Sequence, residues 1–115
     1  MSFPHNLKRG DVMKILQGDS YPIPVEIKQD GFPVIPEIVE EVEITIGTEV
    51  RKTYTDGGVF YEDEMWYFLL SQEDTFSLSG GYDVLLRLKH PGSGNVVGTK
   101  IGKLSVEKAE RKEVI

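Results

Sequence analysis

Apolar and polar residues alternate with a period of two in short runs along most of this chain. The clearest run is 82–89 (YDVLLRLK), and similar runs occupy 21–29 (YPIPVEIKQ) and 42–46 (VEITI). This alternation is typical of β-strands with one buried face, and helical periodicity is absent over most of the sequence. Residues that favour turns, mainly Gly, Pro and Asp, separate the runs. The pattern therefore predicts an all-β fold.

About seven or eight such segments follow one another, as expected for a sandwich with Greek-key connections. We expect an antiparallel, immunoglobulin-like β-sandwich of two sheets, with a closed barrel as the alternative. Trp66 before a short helical turn and Tyr82 at the start of the next strand fit the immunoglobulin-like choice. The predicted organisation is an irregular N-terminal arm (1–10), the sandwich domain (11–106) and a charged C-terminal tail (107–115).

Several local signals place turns and irregularities within this scheme. Asp30-Gly31 is predicted to form a turn, after which 32–36 (FPVIP) runs extended and crosses over rather than pairing fully. The segment 56–58 (DGG) is predicted to close a hairpin. Ser71 is a predicted N-cap of a short helical turn that carries the chain between the sheets. The change of parity in 96–106 predicts a β-bulge at Gly102, where one extra residue is absorbed.

Composition excludes several classes of function. The chain of 115 residues has no cysteine, which removes disulfides, thiolate zinc sites and cysteine nucleophiles. Its formal net charge of −6 argues against nucleic-acid binding, which needs clustered Lys and Arg. No apolar run approaches the length of a membrane helix, and we expect no membrane association.

Candidate catalytic groups are few. His5 and His90 are the only histidines, and we expect both to be exposed and without a role. Asp56 with the acidic run 62–64 (EDE) is a candidate calcium site, although its spacing fits no EF-hand loop. A solvated acidic turn is the competing interpretation and the one we adopt. We therefore predict a protein that is not an enzyme and that uses no cofactor or metal.

The apolar residues that alternation leaves outside the core are the candidate binding residues. If Trp66, Phe68 and Leu70 enter the core, then Met65, Tyr67 and Leu69 face outward. The strand Tyr21, Ile23 and Val25 is a second candidate, because Pro22 and Pro24 place it at a sheet edge. We predict a protein interface at these two places. A carbohydrate-binding or adhesive module, with exposed aromatic rings, is the alternative.

One stretch resembles a known family. The segment 18–27 (GDSYPIPVEI), followed by 30–34 (DGFPV), is similar to the N-terminal β-sandwich of baseplate upper proteins from phages of Gram-positive bacteria. In that domain an extended strand, an Asp-Gly-x-Pro turn and a Val-x-Ile-x-Ile strand follow in order, and the shared pattern covers roughly residues 18–47. The resemblance implies a structural component of a phage or prophage tail, assembled into virions in the bacterial cytoplasm. It also implies partners that are other phage structural proteins or copies of the chain itself, and a homo-oligomer is one such arrangement.

Overall fold

The computed structural model of the chain describes residue 7 and residues 10–92 and 94–110. Strands account for 56% and helices for 8% of the structure, so the predicted all-β fold is confirmed. Ten strands lie within the described residues: β1 (Val12–Leu16), β2 (Tyr21–Val25), β3 (Lys28–Gln29), β4 (Phe32–Pro33), β5 (Glu41–Ile46), β6 (Val50–Thr53), β7 (Val59–Glu62), β8 (Met65–Leu70), β9 (Gly80–Lys89) and β10 (Val96–Glu107). A 3-10 turn (Pro36–Ile38) and one short helix, α1 (Gln72–Phe76), complete the described elements.

The strands form two main sheets and one small hairpin. The larger sheet has the order β1-β10-β9-β5-β6, and the smaller one has the order β2-β8-β7. Strands β3 and β4 pair only with each other, across the Asp30-Gly31 turn that the sequence predicts. In that turn both residues have positive φ, 52° and 83°. The predicted bulge is also present, because the register between β9 and β10 shifts between Lys100 and Gly102.

Two expectations about strand pairing are wrong. The fold is not purely antiparallel, since β1 runs parallel to β10. In addition, 56–58 does not close a hairpin, because β6 pairs with β5 whereas β7 pairs with β8. The physical reason is the same in both cases. Alternation shows which residues face inward, but only a tight hairpin enforces antiparallel pairing of neighbours in sequence. Turn composition does not reveal whether the next strand joins the same sheet.

Both sheets contribute side chains to one apolar core. The largest fully buried side chains include Phe68 and Ile23 from the smaller sheet and Ile44 and Leu86 from the larger one. Removing such side chains from water is the main favourable contribution to folding. Each strand therefore presents its second face to solvent, and any binding surface must be sought on those outer faces or at the strand edges.

The predicted boundaries of the core domain are too narrow at both ends. Leu7 falls in the predicted N-terminal arm, yet its side chain is fully buried. Its N–H donates to the Pro24 carbonyl at 2.8 Å, and its own carbonyl accepts from the Glu26 N–H at 2.9 Å. At the other end, Glu107 belongs to β10, and the Ala109 N–H donates to the Gln17 side chain. Of the predicted arm, only Leu7 and Gly10 are among the described residues. Residues 111–115 of the predicted tail lie outside them.

Helix α1 begins where the sequence predicts it. The Ser71 hydroxyl accepts from the Asp74 N–H at 3.0 Å, and the Asp74 carboxylate accepts from the Ser71 N–H at 2.9 Å. This reciprocal capping box satisfies two backbone donors that a helix end otherwise leaves unpaired. The buried Thr75 hydroxyl then accepts from the Gly18 N–H at 2.8 Å. The helix is thereby attached to the turn between β1 and β2.

The turn between β7 and β8 has an unusual backbone for its residues. Asp63 and Glu64 both have positive φ, 51° and 63°, in a two-residue hairpin connection. For most residues other than Gly and Asn, this left-handed conformation costs roughly 1 kcal/mol or more of conformational free energy. The segment Glu62–Glu64 is called the acidic tip below. It holds three consecutive exposed carboxylates.

The variant Glu64→Gly is expected to stabilise the protein by about 1 kcal/mol, because glycine adopts positive φ without a steric penalty. Urea unfolding followed by tryptophan fluorescence measures this as a higher midpoint with an unchanged slope. The matched control is Glu62→Gly, which lies in the strand and should be destabilising. Equal effects of the two substitutions would contradict the interpretation.

Candidate functional site

The outer face of the smaller sheet is apolar over most of its area. Inward residues of β8 alternate with Met65, Tyr67 and Leu69, so these three side chains point away from the core. Strand register places Pro22 opposite Leu69, Pro24 opposite Tyr67, and Phe60 opposite Tyr67 on the other side. We call this surface the apolar platform, and it consists of Pro22, Pro24, Phe60, Met65, Tyr67 and Leu69.

Two aromatic rings form the centre of the apolar platform. Phe60 and Tyr67 are stacked, with ring centroids 5.1 Å apart and planes inclined by only 13°. The register places Tyr67 between Phe60 and Pro24, so rigid groups flank it on both sides. Cross-strand pairs of this kind stabilise a sheet and also hold its outer surface in one shape. The platform therefore offers a preformed apolar surface.

The inner face of the same strands supports this surface from below. The indole N–H of Trp66 donates to the Val34 carbonyl at 2.7 Å. The rings of Tyr54 and Tyr61 both contact the Trp66 ring edge to face, at 5.3 and 5.0 Å between centroids. Phe68 beside it is fully buried. With its inner face packed in this way, β8 presents the platform on a rigid strand.

The exposure of the platform is partial. Leu69 is 40% exposed, and Met65, Tyr67 and Phe60 are half-buried by one another and by the neighbouring strands. Glu62 is the one charged residue on the outer face of these three strands, and it is the first residue of the acidic tip. A mostly apolar sheet face with a charged end is the composition expected of a surface that contacts another molecule.

The structure separates the predicted interface residues into two groups. Met65, Tyr67 and Leu69 face outward together, as predicted. Ile23 and Val25, in contrast, are completely buried, so their side chains cannot contact a partner. Tyr21 is half-buried against the core, and its burial, with the Asp19 charge nearby, raises the pKa of its hydroxyl.

The free edge of β2 is also poorly suited to pairing with another strand. Prolines have no N–H, and Pro22 and Pro24 occupy the positions whose nitrogens face away from β8. The edge therefore has no donor at these two residues. Leu7 covers its end and uses the Pro24 carbonyl. Such an edge resists strand addition, which corrects the expectation that Tyr21, Ile23 and Val25 form an interface.

Sequence reasoning missed half of the platform. Phe60, Pro22 and Pro24 belong to it, although no single segment indicates that they meet Tyr67. The inward faces of β2 and β8 were correctly predicted, and the missing information was the register between strands distant in sequence. The signal that could have identified these residues is proline at alternate positions of an edge strand that lies opposite an aromatic strand.

The remaining candidate groups do not form a catalytic or metal site within the described residues. The expectation of an exposed His90 without contacts is wrong, because its Nδ1 lies 3.2 Å from the Ile38 carbonyl and its Nε2 is buried. His5 lies outside the described residues. No group of three or more His, Asp or Glu side chains in the described part of the chain is placed to hold a metal ion. No described helix is long and apolar enough to cross a membrane.

Comparison with known proteins adds no relative. The chain matches no protein-family model and no curated protein. The apolar platform and the charged surfaces must therefore be interpreted from their own chemistry.

Proposed function

We propose that this chain is a non-catalytic assembly domain of a phage or prophage tail or baseplate, which associates with other protein chains through the apolar platform. The observation that carries the proposal is the platform itself, an uninterrupted apolar face on a rigid sheet. Aromatic residues and methionine are enriched in protein interfaces, where charged residues are depleted. The phage context comes from the resemblance of residues 18–47 and is part of the proposal.

We further propose that the architecture is an immunoglobulin-like sandwich. The order β2-β8-β7 corresponds to strands B, E and D, and β10-β9-β5-β6 corresponds to G, F, C and C′ of that fold. The Tyr82 hydroxyl donates to the Ser79 carbonyl at 3.1 Å and accepts from the Ser79 N–H at 2.9 Å. This contact supports a tyrosine corner at the start of strand F. Trp66 departs from the pattern, because it lies on β8 rather than on β5.

The platform geometry favours a protein partner over a carbohydrate. Sugars stack on the open face of an aromatic ring, whereas Phe60 and Tyr67 cover one face of each other. Pro24 is the cross-strand neighbour of Tyr67 on its other side. A stacked ring pair flanked by proline, Met65 and Leu69 is an apolar surface for packing rather than an open stacking site.

The variant Leu69→Lys should weaken self-association or binding to a structural partner by at least about 10-fold, because it places a charge in the apolar surface that becomes buried. Sedimentation velocity across a concentration series at about 500 mM salt, where contacts between exposed charges are screened, measures the association. The matched control is Leu16→Lys on β1 of the larger sheet. Leu16 is 44% exposed and Leu69 is 40% exposed, so the two changes are comparable in chemistry and burial.

The control variant should associate as the unchanged protein does. Equal effects of Leu69→Lys and Leu16→Lys, or no effect of either on an association that occurs, would refute the platform as the interface. A glycan array tests the alternative. A monomer that binds sugars, with binding lost in Tyr67→Ala, would replace the proposed function with a carbohydrate-binding one.

A further inference from the structure

A groove crosses the outer face of the larger sheet, on the opposite side of the molecule from the apolar platform. It has a volume of about 430 Å³ and is lined by residues of β5, β9 and β10, among them Thr45, Leu85, Arg87, Gly98 and Lys100. Leu85 supplies an apolar wall that is 45% exposed. Gly98 has no side chain, and the aliphatic stem of Arg87 lies against it, with Arg87 Cγ 3.5 Å from the position that a Cβ would take. The volume lies in the range of sites that accept a ligand or a short segment.

Cations outnumber carboxylates along this groove. Glu43 is nearly buried and is held by two arginines, with Arg51 Nε at 2.6 Å and Arg87 Nε at 2.7 Å from its carboxylate oxygens. We call these three residues the arginine clamp. Arg51 and Arg87 are both more than 60% exposed, so their outer N–H groups face solvent. Two positive charges share one negative charge, and the clamp is left with a net positive charge.

A second carboxylate with two nearby cations lies at the other end of the groove. The Lys100 ammonium lies 2.9 Å from the Asp83 carboxylate. The hydrogen bond and charge of Lys100, together with the charge of Lys103, lower the pKa of Asp83. Arg87, Lys100 and Glu43 line the groove, Arg51 and Asp83 contact these residues, and Lys103 lies beside Asp83. The set holds four cations against two carboxylates. This local excess of +2 lies on a chain whose formal net charge is −6.

The acidic tip is the complementary feature on the same chain. Glu62, Asp63 and Glu64 are all exposed, and none of them forms an ion pair with the described residues. The tip is a narrow two-residue hairpin connection, a shape that can enter a groove. It belongs to the smaller sheet, whereas the groove opens on the face of the larger sheet that points away from that sheet. The tip and the groove of one molecule therefore cannot meet each other.

We propose that the groove receives the acidic tip of a second copy of this chain. The three carboxylates would face the exposed N–H groups of the arginine clamp and the Lys100 and Lys103 ammonium groups, while the neighbouring stem residues pack on Leu85. Charge complementarity on two separate surfaces makes the contact heterologous, since each copy offers one tip and one groove. A heterologous contact repeats from copy to copy and builds rings or open chains.

This contact is independent of the apolar platform and has a different signature. Exposed charges are screened within about 8 Å at physiological ionic strength, so association through the groove must weaken as salt rises. Association through an apolar surface should not weaken in this way. Sedimentation velocity at about 50 mM and about 500 mM salt distinguishes the two. We expect the association constant of the unchanged chain to fall at least about 10-fold between these conditions.

The decisive experiment mixes two variants that are each defective in one surface. The tip variant is Asp63→Asn/Glu64→Gly, which removes two charges and supplies the residues that a positive-φ turn prefers, so it should fold at least as well as the unchanged chain. The groove variant is Lys100→Glu/Lys103→Glu, which leaves the arginine clamp intact. Each alone, in a chain that also carries Leu69→Lys to block the apolar platform, should be monomeric at low salt. An equimolar mixture should form a heterodimer and nothing larger, because one functional tip and one functional groove remain.

Matched controls change the same charges elsewhere on exposed residues. Asp30→Asn/Glu37→Gln removes two carboxylates, and Lys28→Glu/Lys108→Glu reverses two lysines away from the groove. Both control variants should associate as the unchanged chain does. A monomeric unchanged chain at low salt, a tip variant that still assembles, or a mixture that stays monomeric would overturn the proposal. Association that is insensitive to salt and is lost in Leu69→Lys would also overturn it, while supporting the platform.

Discussion

Replacing Phe68 by Ala is expected to destabilise the protein by about 3–5 kcal/mol, because the side chain is completely buried between the two sheets. The loss combines the transfer of the ring to water with the cavity that it leaves. Domains of this size are stable by only about 5–15 kcal/mol, so the variant should be close to unfolded at physiological temperature. Denaturant unfolding followed by circular dichroism measures the difference.

The matched control is Phe32→Ala, which removes the same ring from a position that is 74% exposed. Its effect should stay below about 0.5 kcal/mol, as is usual for surface substitutions. A loss for Phe32→Ala as large as that for Phe68→Ala would contradict the arrangement in which β8 directs Phe68 into a shared core.

The double variant Arg51→Met/Arg87→Met is expected to cost about 2–3 kcal/mol at neutral pH, because it leaves the buried Glu43 carboxylate without a partner. Methionine keeps the length and the apolar stem of each side chain and removes the charge. Glu43→Gln should cost less, about 1 kcal/mol, because both guanidinium groups are largely exposed and can return to water. The two losses of stability differ because the carboxylate is buried, whereas the two guanidinium groups are mostly exposed.

The same variants should differ in their response to acid. Burial by itself raises the pKa of Glu43, but the hydrogen bonds and charges of Arg87 and Arg51 outweigh it and lower the pKa below its ordinary value. The clamp therefore stabilises the fold above the ordinary carboxyl pKa, and this contribution is lost as pH falls through the lowered value. Without the arginines only burial remains, so the neutral form of Glu43 is preferred.

The difference in stability between the unchanged chain and the double arginine variant should therefore shrink as pH falls through the ordinary carboxyl pKa of about 4. The decrease begins above that pH, where Glu43 of the variant first takes up a proton. Thermal unfolding at a series of pH values measures the two curves. Parallel curves from neutral to acid pH would show that Glu43 does not depend on the clamp. A larger loss for Glu43→Gln than for the arginine variant would show the same.

The local features of this fold could be predicted from the sequence because they depend on neighbouring residues. The capping box depends on Ser71 and Asp74, which are three positions apart. The turn at Asp30-Gly31 and the bulge near Gly102 also depend on local backbone preferences. The inward faces of β5, β8 and β9 were correctly predicted because burial imposes a strict alternation on a strand.

The errors concern contacts between residues distant in sequence. The pairing of β1 with β10 joins two ends of the chain, and nothing local specifies its direction. Nothing in the sequence around Leu7 indicates that it is buried, because its burial depends on contact with β2, a later segment of the chain. Ile23 and Val25 do lie on an edge strand, as the prolines indicate. Their side chains are nevertheless buried in the core, so they are not available to an interface. His90 is similar, since Ile38 reaches it from a separate segment.

The order of apolar and polar residues by itself determined that this protein is built from strands, where several of them end, and which side of β2, β5, β8 and β9 is buried. These properties arise from the geometry of a single strand, in which neighbouring side chains point to opposite faces. The tertiary structure alone decided which strands are neighbours. For that reason only it could assemble Pro24, Tyr67 and Phe60 into one apolar platform, and Arg51, Glu43 and Arg87 into one clamp beside a groove.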